Sequence, residues 1–65
     1  MITLGEARGR IGDGVVYHPD GGNAIGSAED GVITGVGERF VYVRYAGDVG
    51  SKATDPAALT FLGQP

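Results

Sequence analysis

Cysteine and tryptophan are absent from the chain, and histidine occurs once, at His18. Without cysteine there are no disulfides and no thiolate metal sites. The absence of cysteine fits a reducing compartment. With one histidine there is no histidine pair for a metal and no second imidazole for acid–base work. Long apolar runs are also missing: none approaches the roughly 20 residues needed to span a bilayer. The start, Met1-Ile2-Thr3-Leu4-Gly5-Glu6, has neither a basic n-region nor a long apolar stretch, so no signal peptide is expected. Ile2 stands where myristoylation needs glycine. The expected location is cytoplasmic, without membrane contact. Basic residues are few: Arg8, Arg10, Arg39, Arg44 and Lys52, against a net charge of −3. That balance argues against general affinity for nucleic acid, which depends on phosphate neutralisation by Lys and Arg.

What the chain has in excess is glycine. Its 13 glycines among 65 residues are about three times the usual share of roughly 7%. They follow no Gly-X-Y period and sit between short apolar runs, the pattern of short strands joined by turns. Residues 1–10 read as a flexible N-terminal arm, because Gly5 and Gly9 disfavour a helical turn there. Val15-Val16-Tyr17 is the first strand, stopped at His18-Pro19 because proline cannot donate to a ladder. Asp20 to Ala28 reads as a long mobile loop. Gly31 to Val36 is the second strand, with Gly35 marking a bend or bulge. After a tight Gly37-Glu38 turn, Arg39-Phe40-Val41-Tyr42-Val43-Arg44-Tyr45 is the third and strongest strand, completing a hairpin. Ser51 to Thr54 is a short fourth strand. Thr54-Asp55-Pro56 caps a single 3₁₀ turn, and Thr60-Phe61-Leu62 is the last strand. Residues 63–65 form a frayed tail.

Five strands in this order, with a 3₁₀ turn before the last, predict an all-β fold, a small SH3-like barrel over residues 11–62. A lone hairpin is unstable in water; rolling five strands into a partly closed barrel hides most edges around one core. Gly12-Asp13-Gly14-Val15-Val16-Tyr17 resembles the opening strand of Tudor- and KOW-type SH3-like modules. Gly31-Val32-Ile33-Thr34-Gly35-Val36 followed by Phe40-Val41-Tyr42-Val43-Arg44-Tyr45 resembles their central hairpin. The stretch from Gly31 through Leu62, including Ser51-Lys52-Ala53-Thr54-Asp55-Pro56, is similar to short proteins encoded by tailed bacteriophages and prophages. The resemblance implies the fold and leaves the partner open, because SH3-like barrels bind many unrelated things.

Catalytic constellations are not found. Ser27 and Ser51 lack a nucleophile motif, and His18 reads as a polar residue at a strand end. Asp20, Glu29 and Asp30 read as a solvated acidic loop. Tyr17 stands where a dinucleotide fingerprint beginning at Gly12 needs its third glycine. The expectation is therefore a non-enzymatic binding module with no cofactor and no metal.

The third strand carries the candidate site. Side chains alternate along a strand, so Val41, Val43 and Tyr45 share one face and Phe40, Tyr42 and Arg44 the other. The valine face is the better core, joined by Val15, Tyr17, Ile33 or Val36, Leu59 and Leu62. Phe40, Tyr42 and Arg44, with Arg39 and Lys52 nearby, then form a partner-binding surface, since aromatics beside arginine are the chemistry of recognition sites. Three occupants compete with the bland reading that Ile2 and Leu4 of the arm cover this face. They are a host or phage protein, a nucleic acid stacked on Phe40 or Tyr42 with Arg39, Arg44 and Lys52 on phosphates, or a second copy in a homo-oligomer. A cage for a methylated cation would draw on Tyr17, Tyr42, Tyr45 and Phe61.

Overall fold

The computed structural model of the chain describes residues 1–18 and 28–62. Residues 20–27 of the expected Asp20–Ala28 loop, with Asp20 of the acidic group, and the expected tail at 63–65 lie outside them.

Five antiparallel strands form one sheet in the order β4-β3-β2-β1-β5. They are β1 (Gly14–Tyr17), β2 (Glu29–Val36), β3 (Val41–Tyr45), β4 (Lys52–Thr54) and β5 (Leu59–Phe61). A 3₁₀ turn, Pro56–Ala58, precedes β5, with the Asp55 side chain accepting from the Ala57 N–H. The all-β architecture thus follows the strand order read from the sequence. Among the described residues, no helix is long and apolar enough to cross a membrane.

β2 organises the sheet. Its first half pairs with β1, from Tyr17↔Glu29 to Gly14↔Val32, and its length from Gly31 to Val36 pairs with β3. The β2–β3 register shifts between Ile33 and Gly35. Thr34 is the extra residue of a β-bulge, which increases local twist and bends the strand. The sequence places this irregularity at Gly35, one residue on. Gly31 sits where β2 is paired on both sides. A Cβ there would lie 2.5 Å from Val43 Cγ1 and 3.1 Å from the Arg44 carbonyl oxygen, so only glycine fits without movement.

The core is the inward face of all these strands. Ile33, Leu59, Val15, Val41 and Val43 are fully buried, joined by Tyr45, Phe61, Ile2 and Ala7. Each buried Val, Leu or Ile contributes roughly 1.5–3 kcal/mol, which matters in a chain that buries only about 60% of its unfolded surface.

Two expectations are corrected here. Residues 1–10 include the helical turn that Gly5 and Gly9 were expected to disfavour. Leu4–Arg8 forms a short helix, α1, under a capping box: Thr3 Oγ1 accepts from the Glu6 N–H at 3.0 Å, and Glu6 Oε1 accepts from the Thr3 N–H at 2.9 Å. Two otherwise orphaned helix donors are satisfied reciprocally, which outweighs the cost of Gly5. Ile2 and Ala7 then enter the core, and the Ile2 N–H donates to the Pro56 carbonyl at 3.1 Å. The last strand also begins one residue early. Leu59 and Phe61 therefore point inward, and Leu62, expected in the core, is 49% exposed, covering the outer side of Gly14. Side chains alternate along a strand, so with Leu59 and Phe61 inward, Leu62 turns outward.

Candidate functional site

β3 alternates strictly between buried and exposed residues from Val41 to Tyr45. The outward set is Tyr42 and Arg44, with Phe40 exposed just before the strand; Phe40 is 46% and Tyr42 42% exposed. Ile2 is in the core and Leu4 packs against it. The N-terminal segment therefore does not bury the two rings.

The Tyr42 ring lies along the glycine backbone of the β2–β3 turn. A Cβ on Gly37 would be 3.2 Å from Tyr42 Cε2 and one on Gly35 3.9 Å from Cδ2. The turn is closed by the Gly37 N–H donating to the Phe40 carbonyl at 2.8 Å. Arg39 is exposed within it. Beside Tyr42, the Thr34 hydroxyl donates to the Tyr42 carbonyl at 3.2 Å and hydrogen-bonds Ser51 Oγ. That hydroxyl bridge ties β2 to the start of β4 across β3. Arg44, opposite Val32, borders a shallow depression of about 390 Å³ shared with Asp30, Tyr45, Ala46 and Asp48.

Sequence reasoning missed Arg8. α1 carries its guanidinium to the same turn, where Nη2 donates to the Gly37 carbonyl at 3.4 Å. Arg8 and the Tyr42 ring thus border one glycine. The signal was the Thr3–Glu6 capping pair, which fixes the helix that delivers Arg8.

Lys52 does not join this surface. It pairs with Val43, as Thr54 pairs with Val41 and Ala53 with Tyr42. Directly opposed residues share a face, so Lys52 belongs to the inner side at the sheet edge, where its Nζ lies 3.4 Å from Asp48 Oδ2. There it borders a cleft of about 420 Å³ with Tyr17, Glu29, Tyr45, Thr54 and Asp55. In that cleft Tyr17 and Tyr45 meet edge to face, with centroids 5.9 Å apart. The Tyr45 and Thr54 hydroxyls hydrogen-bond at 2.7 Å. Burial pushes the Tyr45 phenol above its ordinary value, offset in part by the Thr54 hydrogen bond.

The four rings considered for a cation cage do not converge. Tyr42 is outside, Tyr17 and Tyr45 meet inside, and the Phe61 ring is covered by the Arg10 guanidinium at 3.8 Å. Arg10 is itself held by Asp13 at 2.6 Å. His18 Nε2 shares a hydrogen bond with Thr60 Oγ1 at 3.1 Å. Among the described residues, no group of three or more His, Asp or Glu side chains could hold a metal ion. Comparison with family models, curated proteins and solved structures finds no match to this chain.

Proposed function

We propose that this chain is a non-enzymatic binding module of the SH3-like barrel type, a phage accessory protein that docks on a host or phage protein through the outer face of β3. One observation carries the reading. Two large rings, Tyr42 on β3 and Phe40 just before it, stay nearly half exposed while the alternate residues of the strand are fully or almost fully buried. Exposed aromatics flanked by Arg39 and Arg44 suit protein recognition. The β1–β5 pairing and the 3₁₀ turn before β5 support the barrel.

Nucleic-acid binding on the same rings is the second reading, favoured by arginines beside an exposed tyrosine. Against it stands Lys52, the third cation of that scheme, which borders the inner cleft.

The test compares wild type with the Phe40→Ala/Tyr42→Ala double variant as bait in lysate of infected bacteria. A protein retained by wild type and lost by the variant is expected. Equal retention by both removes this face from the account. Titration at low salt with single- and double-stranded DNA and RNA addresses the second reading, which ends if no resonance shifts.

A further inference from the structure

We infer that the outer face of β3 receives an acidic peptide segment of its partner, whose carboxylates meet Arg8, Arg39 and Arg44 around the Phe40 and Tyr42 rings. This inference rests on the reading of that face as a partner site, and it adds the chemistry of the partner and a residue from a distant segment.

The distribution of charge carries it. The chain is acidic overall, at −3, with five basic residues. Two of the five are neutralised by the protein itself: Arg10 by Asp13 at 2.6 Å and Lys52 by Asp48 at 3.4 Å. Neither lies on the outer face of β3. The other three, Arg8, Arg39 and Arg44, form no ion pair among the described residues, and all three are exposed. These three flank the two exposed rings. Arg44 is two positions along the strand from Tyr42, Arg39 adjoins Phe40, and Arg8 reaches Gly37, the residue against which Tyr42 rests.

Arg8 is the informative one. Its hydrogen bond goes to a neutral carbonyl, so its positive charge is uncompensated while the contact holds it beside the turn. A guanidinium has five N–H donors in a planar fork. With one engaged at Gly37, others remain for a bidentate carboxylate contact, the arrangement this group favours. Glu38 is the one carboxylate within the turn, and the arginines outnumber it. Arg44 shares its depression with Asp30 and Asp48, so its field is the most balanced of the three.

A peptide is favoured over a nucleic acid by the same bookkeeping. Three cations suffice for a few carboxylates. Nucleic-acid affinity depends on neutralising many phosphates, more than three arginines can meet.

The experiment is an NMR titration of the isotope-labelled full chain at low salt. The probes are a synthetic peptide of glutamates interspersed with leucine and glycine, and oligothymidylate. The peptide is expected to shift the amides of Arg8, Gly37 and Tyr42. Arg8→Ala and Arg39→Ala should each weaken it by about two- to fivefold, as exposed ion pairs do. Arg44→Ala should weaken it less, Arg8→Lys should retain part of the affinity, and Lys52→Ala should leave it unchanged. Thermal melts of each variant separate lost binding from lost folding. No shift on this face at millimolar peptide overturns the inference. So does equal weakening by Lys52→Ala and Arg8→Ala, which would mean unspecific attraction, or a stronger response of the same amides to oligothymidylate. If lysate capture is lost in the Phe40→Ala/Tyr42→Ala variant but survives all three arginine variants, the face stands and its acidic partner falls. If capture survives Phe40→Ala/Tyr42→Ala, the underlying reading falls.

Discussion

The two sides of β3 are built from the same strand and differ in almost every other respect. Inward, Val41 and Val43 are fully buried and Tyr45 nearly so, with its hydroxyl tied to Thr54. Outward, Tyr42 and Arg44 stand in solvent, supported by glycine backbone and the Thr34–Ser51 bridge. Inner residues hold the fold, and their chemistry is constrained by volume and hydrogen bonding. Outer residues cost the fold little to change, so their identity is free to serve a partner. An aromatic on the inside is ordinary core. An aromatic on the outside at nearly half exposure leaves apolar surface in water, and that surface is the resource a partner can use.

Mutations that test this division range from severe to nearly silent. Leu59→Ala, on the inner face of β5 and fully buried, should cost about 2–5 kcal/mol. That is a large part of the stability of so small a domain, and urea unfolding would register it as a fall in midpoint. Gly31→Ala should cost about 1–3 kcal/mol by overpacking, because its methyl group would press on Val43 and Tyr45. A neutral result would show that the inner face can shift where β2 is paired on both sides.

Tyr45→Phe should cost about 1–2 kcal/mol, since the buried Thr54 hydroxyl loses its closest partner. This variant also sharpens a pH prediction. Burial raises the Tyr45 phenol above its ordinary 10.0, so the folded state disfavours the phenolate. The stability from this group is complete below pH 10.0 and declines as pH rises from there through the folded value. Alkaline melts of wild type should show that decline, and Tyr45→Phe should lose the part due to this residue. The smallest effect belongs to the outside. Phe40→Ser should change stability by no more than about 0.5 kcal/mol while removing partner capture. A large loss of stability there would end the division between the two faces.

Much of this division was legible in the sequence, because a strand has a period of two and Val41-Tyr42-Val43-Arg44-Tyr45 obeys it without a break. The bulge announced itself through Gly35, and the 3₁₀ turn through Asp55-Pro56. The failures share a physical cause. The outward turn of Leu62 is not legible because strand ends are set by pairing, and the Val15↔Phe61 register is not written in local propensity. The side taken by Lys52 is hidden for the same reason, being fixed by its partner Val43. The helix is masked by the low helical propensity of Gly5 and Gly9, which the Thr3–Glu6 cap overcomes. Arg8 went unnoticed with it, since only tertiary packing brings residue 8 to residue 37.

The pairing of β1 with β5 has a consequence for time as well as for shape. The β2–β3 hairpin joins neighbours through a short turn and can form in about 1–10 μs. Val15 must instead find Phe61, near the other end of the chain, and the entropy of closing that loop is lost before its contacts reward it. Folding is therefore expected to nucleate at the hairpin that displays Tyr42 and to finish at the seam between first and last strands. Changes in β5 should mainly accelerate unfolding, whereas changes in the Gly37–Phe40 turn should mainly slow folding.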